Sequence, residues 1–324
     1  MAYKNSEITQ IIEQWLLYLS ANLRYSKNTI ENYKRDITQL CKMLELEDLD
    51  IKDLNSELAR KFISQKYSLG LGARGLGRMI SSWKNFYKWY SLRINMNLTP
   101  LNDIKTPKPT KELPKSISVD QMKSLLDGNL DKIKTKDADP VTIRDQAILE
   151  LFYSSGLRLS ELISTDLKYT KNKNYTSKSW LYMDRAEIIV LGKGNKQRIL
   201  PIGKTALFSL KAWINVRDKF ISNKTREEDI PALFLGIKGQ RISPRVIQIQ
   251  LKKISLNMNI PGNMSPHAIR HSFASHLLQS SQDLRAVQEL LGHKSITTTQ
   301  IYTKLDFQHL SSIYDKTHPR AKKS

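Results

Sequence analysis

The sequence predicts a mainly α-helical chain of two domains, with one small antiparallel β-sheet in the second. Three observations carry that prediction. Apolar residues recur every three or four positions along most of the 324 residues, the period of a helical stripe turned towards a core. Between residues 180 and 202 the period changes to short β-prone runs, WLYM, EIIVL and QRILPI, as in a meander of paired strands. A basic, proline-bearing stretch, DIKTPKPTKELPKSI over residues 103–117, breaks both patterns, and its Pro107, Pro109 and Pro114 cannot lie inside a helix.

Residues 1–102 hold four helical patterns. In the first, Ile8, Ile11, Ile12, Trp15, Leu16 and Leu19 share one face, interrupted by Glu13 and Gln14. That is an amphipathic core helix and neither a signal peptide nor a membrane span. The second starts at a Ser26 cap and carries Ile30, Tyr33, Ile37 and Leu40; the third holds Leu58, Phe62 and Ile63; the fourth holds Leu76, Ile80, Trp83, Tyr87 and Tyr90. Cys41 falls beside the second stripe and reads as a small core residue.

After the linker at 103–117, residues 118–324 form the second domain. Ser118 and Gln121 have capping-box spacing ahead of Met122, Leu125 and Leu126. A helix over 142–155 is ended by Gly156. The meander follows, then helices near 203–221, 244–258, 266–281 and 283–291, two of them opened by Ser243-Pro244 and Ser265-Pro266.

Composition narrows the function. Lys and Arg number 52 against 31 Asp and Glu, a net charge of +21, which favours a polyanionic partner. A single cysteine excludes a disulfide framework and a zinc finger and fits a reducing compartment, so a cytoplasmic protein is expected. No GxGxxG or Walker loop is present, which argues against a nucleotide cofactor.

Four segments concentrate chemistry. SSGLRLSEL places Arg158 just past Gly156 at the mouth of a new helix, with Glu161 in its first turn. LGKGNKQRILPIG sets Lys193 at a hairpin tip. SPHAIRHSFASHLLQ puts His267 and Arg270 three apart on one helix face. LLGHKSITTTQIYTKLD carries His293 and Tyr302. Singly, each has a plain reading as a salt bridge, a turn, a solvated face or a half-buried phenol. A zinc site on His267 and His271 is disfavoured, because Ala268 stands where a protease helix needs Glu.

In this order the segments resemble the tyrosine recombinase (phage integrase) family, whose signature is Arg, Lys, His-x-x-Arg, His or Trp, then Tyr. Arg158, Lys193, His267, Arg270, His293 and Tyr302 match it, and the resemblance runs from SKNTIENYKRD in the first domain to the tail. Within the family the closer likeness is to the Xer recombinases, which resolve bacterial chromosome dimers. The resemblance implies a SAM-like helical DNA clamp followed by an α-rich catalytic domain. It also implies a double-stranded dif-like DNA site, a second Xer recombinase in a cyclic heterotetramer, and activation by a DNA translocase. The tail, residues 303–324, is expected to dock on a neighbouring protomer, although its apolar residues equally suit its own domain.

The residue types suit DNA phosphodiester cleavage. Two planar guanidiniums, Arg158 and Arg270, match the nonbridging oxygens on which charge builds, with His293 as a further donor. Tyr302 is the expected nucleophile, forming a 3′-phosphotyrosyl bond; His267 accepts its proton and Lys193 protonates the leaving 5′-oxygen. The scheme needs no metal, because these donors meet the phosphate's charge, and no ATP, because the ester bond stores the energy. Arg24, Lys27, Arg74, Arg78, Lys84 and Lys88 lie off the apolar stripes and are expected to meet DNA phosphates. A mobile-element integrase, a type IB topoisomerase and a DNA-binding protein without catalysis are the alternative readings.

Overall fold

A computed structural model describes residues 2–96, 98–107, 117–133, 138–191, 197–257, 264–291 and 313–321. Two compact units divide the chain, Met1–Glu112 and Leu113–Ser324. Ile104, from the head of the basic stretch, packs into the core of the first unit, and Ile117 at its end packs into the second. The connection between the units is therefore shorter than the expected linker.

The first unit consists of α1 (Ala2–Ala21), α2 (Lys27–Leu46), α3 (Ser56–Ser68) and α4 (Ala73–Ile94). Caps set the starts of α2 and α3: Ser26 Oγ accepts from Thr29 N at 3.2 Å and Asn55 Oδ1 from Leu58 N at 2.9 Å. α4 packs against the other three helices and buries Leu76, Met79, Ile80, Trp83, Phe86, Tyr87 and Tyr90. Polar tips of the large aromatics find partners, as burial demands: Trp83 Nε1 donates to Asp36 O at 3.0 Å and the Tyr87 hydroxyl to Ile51 O at 2.7 Å. Cys41 packs at the edge of this core, and burial pushes its thiol up to about 12.

The second unit contains α5 (Val119–Ile133), α6 (Pro140–Ser155), α7 (Leu159–Ile163) and β1 (Thr165–Asp166). These lead to β2 (Ser179–Tyr182), β3 (Glu187–Leu191) and β4 (Gln197–Pro201), then α8 (Lys204–Arg217), α9 (Pro244–Asn257), α10 (Pro266–Ser281) and α11 (Leu284–Leu291). The expected capping box is present, with Ser118 N to Gln121 Oε1 and Gln121 N to Ser118 Oγ both at 3.2 Å. α6 is buried on every side from Gln146 to Ser155, and α5, α8 and α10 pack around it. No helix among the described residues is long and apolar enough to cross a membrane.

The sheet has the order β1-β2-β3-β4. Its three longer strands are the antiparallel meander the sequence predicts; β1 adds a parallel edge of two residues. Asp166 on β1 is fully buried. It accepts from Arg241 Nη2 and Tyr175 Oη at 2.7 Å and Ser177 Oγ at 2.5 Å, so it fastens the following loop to the sheet.

Residues 313–317 are helical and, with His318 and Arg320, pack on their own unit. The hydroxyls of Tyr314 and Ser154 lie 2.7 Å apart, the His318 ring stacks on Tyr314 with centroids 4.7 Å apart, and Arg320 Nη2 meets Glu150 Oε1 at 2.8 Å. Burial raises the Glu150 carboxyl to about 7, with Arg320 opposing the rise. Leu305, Phe307 and Leu310 of the amphipathic tail lie outside the described residues.

Candidate active site

The site is built where α6 ends. Gly156 closes that helix by donating its N–H to Phe152 O at 3.0 Å, in the left-handed conformation with φ +56°. A Cβ here would fall 2.3 Å from Cδ1 of Phe273 on α10, so only glycine lets α10 approach this closely. Two residues on, Arg158 takes the N-cap position of α7. One turn before Phe273, Arg270 sends Nη1 to Gly156 O at 2.6 Å. The two family arginines are thus brought to one place by a helix end and the helix packed against it.

Glu161 is the hub. Its Oε2 accepts from Arg158 N and its Oε1 from Arg158 Nη1, both at 2.7 Å, and Arg270 Nη1 stands 3.9 Å from Oε2. A third guanidinium completes the cluster: Arg198 on β4 reaches Oε1 with Nη1 at 3.0 Å and Oε2 with Nη2 at 2.7 Å. Burial acts to raise the Glu161 carboxyl, but the hydrogen bonds and charge of Arg198, followed by those of Arg158, outweigh it and hold the carboxyl below its ordinary value.

The second anchor is the carbonyl end of α11, which carries partial negative charge. Leu291 O accepts from Arg270 Nη2 at 2.5 Å and Arg158 Nη2 at 3.3 Å, and Leu290 O from Arg198 Nε at 3.3 Å. Burial, then the neighbouring Arg158, lowers Arg270 to about 10, which still leaves it cationic at neutral pH. The Arg158 side chain is 42% exposed, whereas those of Arg198 and Arg270 are buried. Positive charge therefore exceeds negative here, and Arg158 presents it to solvent. Such a cluster is suited to receive an anion.

His267 is exposed in the first turn of α10, whose start is fixed by Ser265 Oγ accepting from Ala268 N at 3.2 Å. Lys193, His293 and Tyr302 lie outside the described residues. Their flanks are described: β3 and β4 pair up to Leu191 and Gln197 on either side of Lys193, and Leu291 is two residues before His293. Among the described residues no group of three or more His, Cys, Asp or Glu could hold a metal ion.

Arg198 is the member of the cluster that the sequence reading passes over. One signal was available: in β4 it shares the inward phase with Leu200, where an arginine needs a buried partner.

In the first unit, Arg24, Lys27, Arg74 and Lys88 are exposed. Arg78 and Lys84 differ from the expectation of open phosphate contacts. Arg78 Nη1 is ion-paired to the buried Asp36 at 2.5 Å, and Lys84 Nζ donates to Ile104 O at 2.9 Å.

Comparison with known proteins gives the family. The phage integrase family profile matches residues 115–309, and that of the phage integrase N-terminal SAM-like domain matches residues 12–93. The chain is 42% identical over 315 residues to the tyrosine recombinase XerC of Ralstonia pickettii, covering 96% of this chain and 94% of that protein. It is 40% identical over 313 residues to XerC of Pseudomonas aeruginosa, covering 96% and 95%. The fold is shared with the XerH site-specific recombinase bound to a palindromic difH substrate, at a TM-score of 0.59, 20% identity and 94% coverage of each chain. It is also shared with the Tn1549 transposon integrase in complex with circular intermediate DNA, at a TM-score of 0.59, 16% identity and coverage of 92% and 98%. With both of its units matched and relatives this similar along nearly its whole length, the chain belongs to the phage integrase family and is a tyrosine recombinase, an enzyme that exchanges DNA strands.

Proposed function

We propose that this recombinase is of the XerC type. It acts with a second, XerD-like recombinase in a cyclic heterotetramer at a dif-like site and converts chromosome and plasmid dimers to monomers before cell division. The observation that supports this reading is the 39–42% identity to XerC proteins over 96% of the chain.

In the reaction, Arg158 and Arg270 take the nonbridging oxygens of the scissile phosphate, and His293 adds a donor. His267 accepts the proton of Tyr302 as its oxygen attacks phosphorus, and Lys193 protonates the departing 5′-oxygen. The 3′-phosphotyrosyl bond then passes to the 5′-hydroxyl of another strand, which restores the tyrosine.

The test uses a nicked suicide duplex carrying the host chromosome's dimer-resolution site, incubated with this protein alone and with the second recombinase. One half-site is expected to become joined to this protein, and strand exchange to require both proteins. Full exchange by this protein alone would overturn the partnership and favour a mobile-element integrase.

Duplex affinity is assigned in part to the exposed cations of the first unit. Replacing Arg74 and Lys88 by Ala is expected to lower the slope of log affinity against log salt by about two, because each lost phosphate contact removes about 0.9. An unchanged slope would return both residues to ordinary solvated surface.

A further inference from the structure

We propose that Arg198 is a positioning residue for strand cleavage. It satisfies Glu161 so that Arg158 and Arg270 keep their charge for the phosphate, and it fixes the end of α11 from which the chain runs on to His293.

The geometry carries this in three steps. First, an ionised carboxylate offers about four acceptor sites, and four donors occupy Glu161: the Arg198 fork, Arg158 N and Arg158 Nη1. The carboxylate cannot turn without breaking several charge-assisted bonds, so the Arg158 guanidinium is held against a fixed plane. Second, the Arg198 guanidinium is spent inside the domain, Nη1 and Nη2 on Glu161 and Nε on Leu290 O, so it is not a phosphate ligand. Its positive charge cancels that of Glu161. Without it, Glu161 would draw on Arg158 and on Arg270, which is already 3.9 Å away, and both would bind phosphate less strongly. Third, Arg198 Nε grips Leu290 O while Arg158 and Arg270 share the next carbonyl, Leu291 O. One side chain thus touches both anchors of the site.

Lysine cannot replace it. An ammonium is a point donor and cannot bridge both carboxylate oxygens and a carbonyl in one plane.

The proposal rests on Tyr302 as nucleophile. That reading is checked separately, by adduct formation with the wild type and its absence with Tyr302→Phe.

The experiment uses the full chain carrying Arg198→Lys and Arg198→Met. Single-turnover adduct formation is measured on a nicked suicide duplex whose sequence this protein has selected from a random library. The scissile link is a phosphodiester in one substrate and a neutral methylphosphonate in the other. Arg198→Lys is expected to melt near the wild-type temperature and to bind the duplex normally, yet to form adduct on the order of 10²-fold more slowly, the scale of an ångström-sized misplacement. On the methylphosphonate, which lacks the charge that Arg158 neutralises, the deficit should shrink. In an Arg158→Ala background, Arg198→Lys should cause no further loss, because the two act as a unit.

Wild-type rates for both variants would overturn the proposal. So would an equal deficit on both substrates and in both backgrounds, which marks a purely structural role. If Arg198→Met fails to fold, Arg198→Lys decides the matter; if neither folds, the positioning role is replaced by a structural one.

Discussion

Tyr302→Phe is expected to abolish the covalent protein–DNA adduct while leaving duplex binding nearly unchanged. The substitution deletes one oxygen and keeps the ring, so packing is little altered, but nothing remains that can bond to phosphorus. The effect should be complete, not partial. A phenol with an ordinary pKa of about 10 is a weak nucleophile at neutral pH and needs a base and a cationic surrounding. In the proposed reaction Arg158 and Arg270, which meet at Glu161, are the cations assigned to that role. Denaturing gels of the variant on a nicked suicide duplex provide the check, with filter binding of the same preparation as control. An adduct persisting at any rate would move the nucleophile to another residue.

Sequence and structure divide the work unevenly. Helices were legible because their stripes come with local caps: Ser26 is the N-cap of α2 and Ser118 and Gln121 form their box as the spacing predicts. β1 was not legible, because two residues show no period and its pairing depends on β2, more than ten residues away. Among candidate site residues, Arg158 and Arg270 could be singled out because family spacing marks them, and Gly156 because it ends a helix. Arg198 could not be found the same way. A strand arginine ordinarily faces solvent, and only the folded chain shows that its partner is Glu161, 37 positions earlier. The tail shows the same limit. Its amphipathic pattern is local, but the Tyr314–Ser154 hydrogen bond spans 160 positions and no spacing rule reaches that far.

Glu161→Gln is expected to lower both stability and cleavage. Breaking a buried ion pair by removing one partner costs about 3–5 kcal/mol. The lower end applies here, because glutamine keeps one oxygen for Arg158 or Arg198. Its amide, however, turns N–H groups towards N–H groups, and three guanidiniums lose the negative charge they surround. For a unit of this size, about 3 kcal/mol corresponds to a fall in Tm of about 10 °C. The pH dependence has a definite sign. The Glu161 carboxyl is held below its ordinary value of 4.5, so its contribution is fully present above that value and is lost as pH falls through the lower, folded one. Thermal melts of wild type and variant should therefore stay apart at neutral pH and converge in acid, as wild-type Glu161 becomes protonated and comes to resemble the amide. Equal midpoints at neutral pH would mean that the arginines hold one another through the α11 carbonyls alone, and a gap that persists in acid would mean that the loss comes from shape and not from charge.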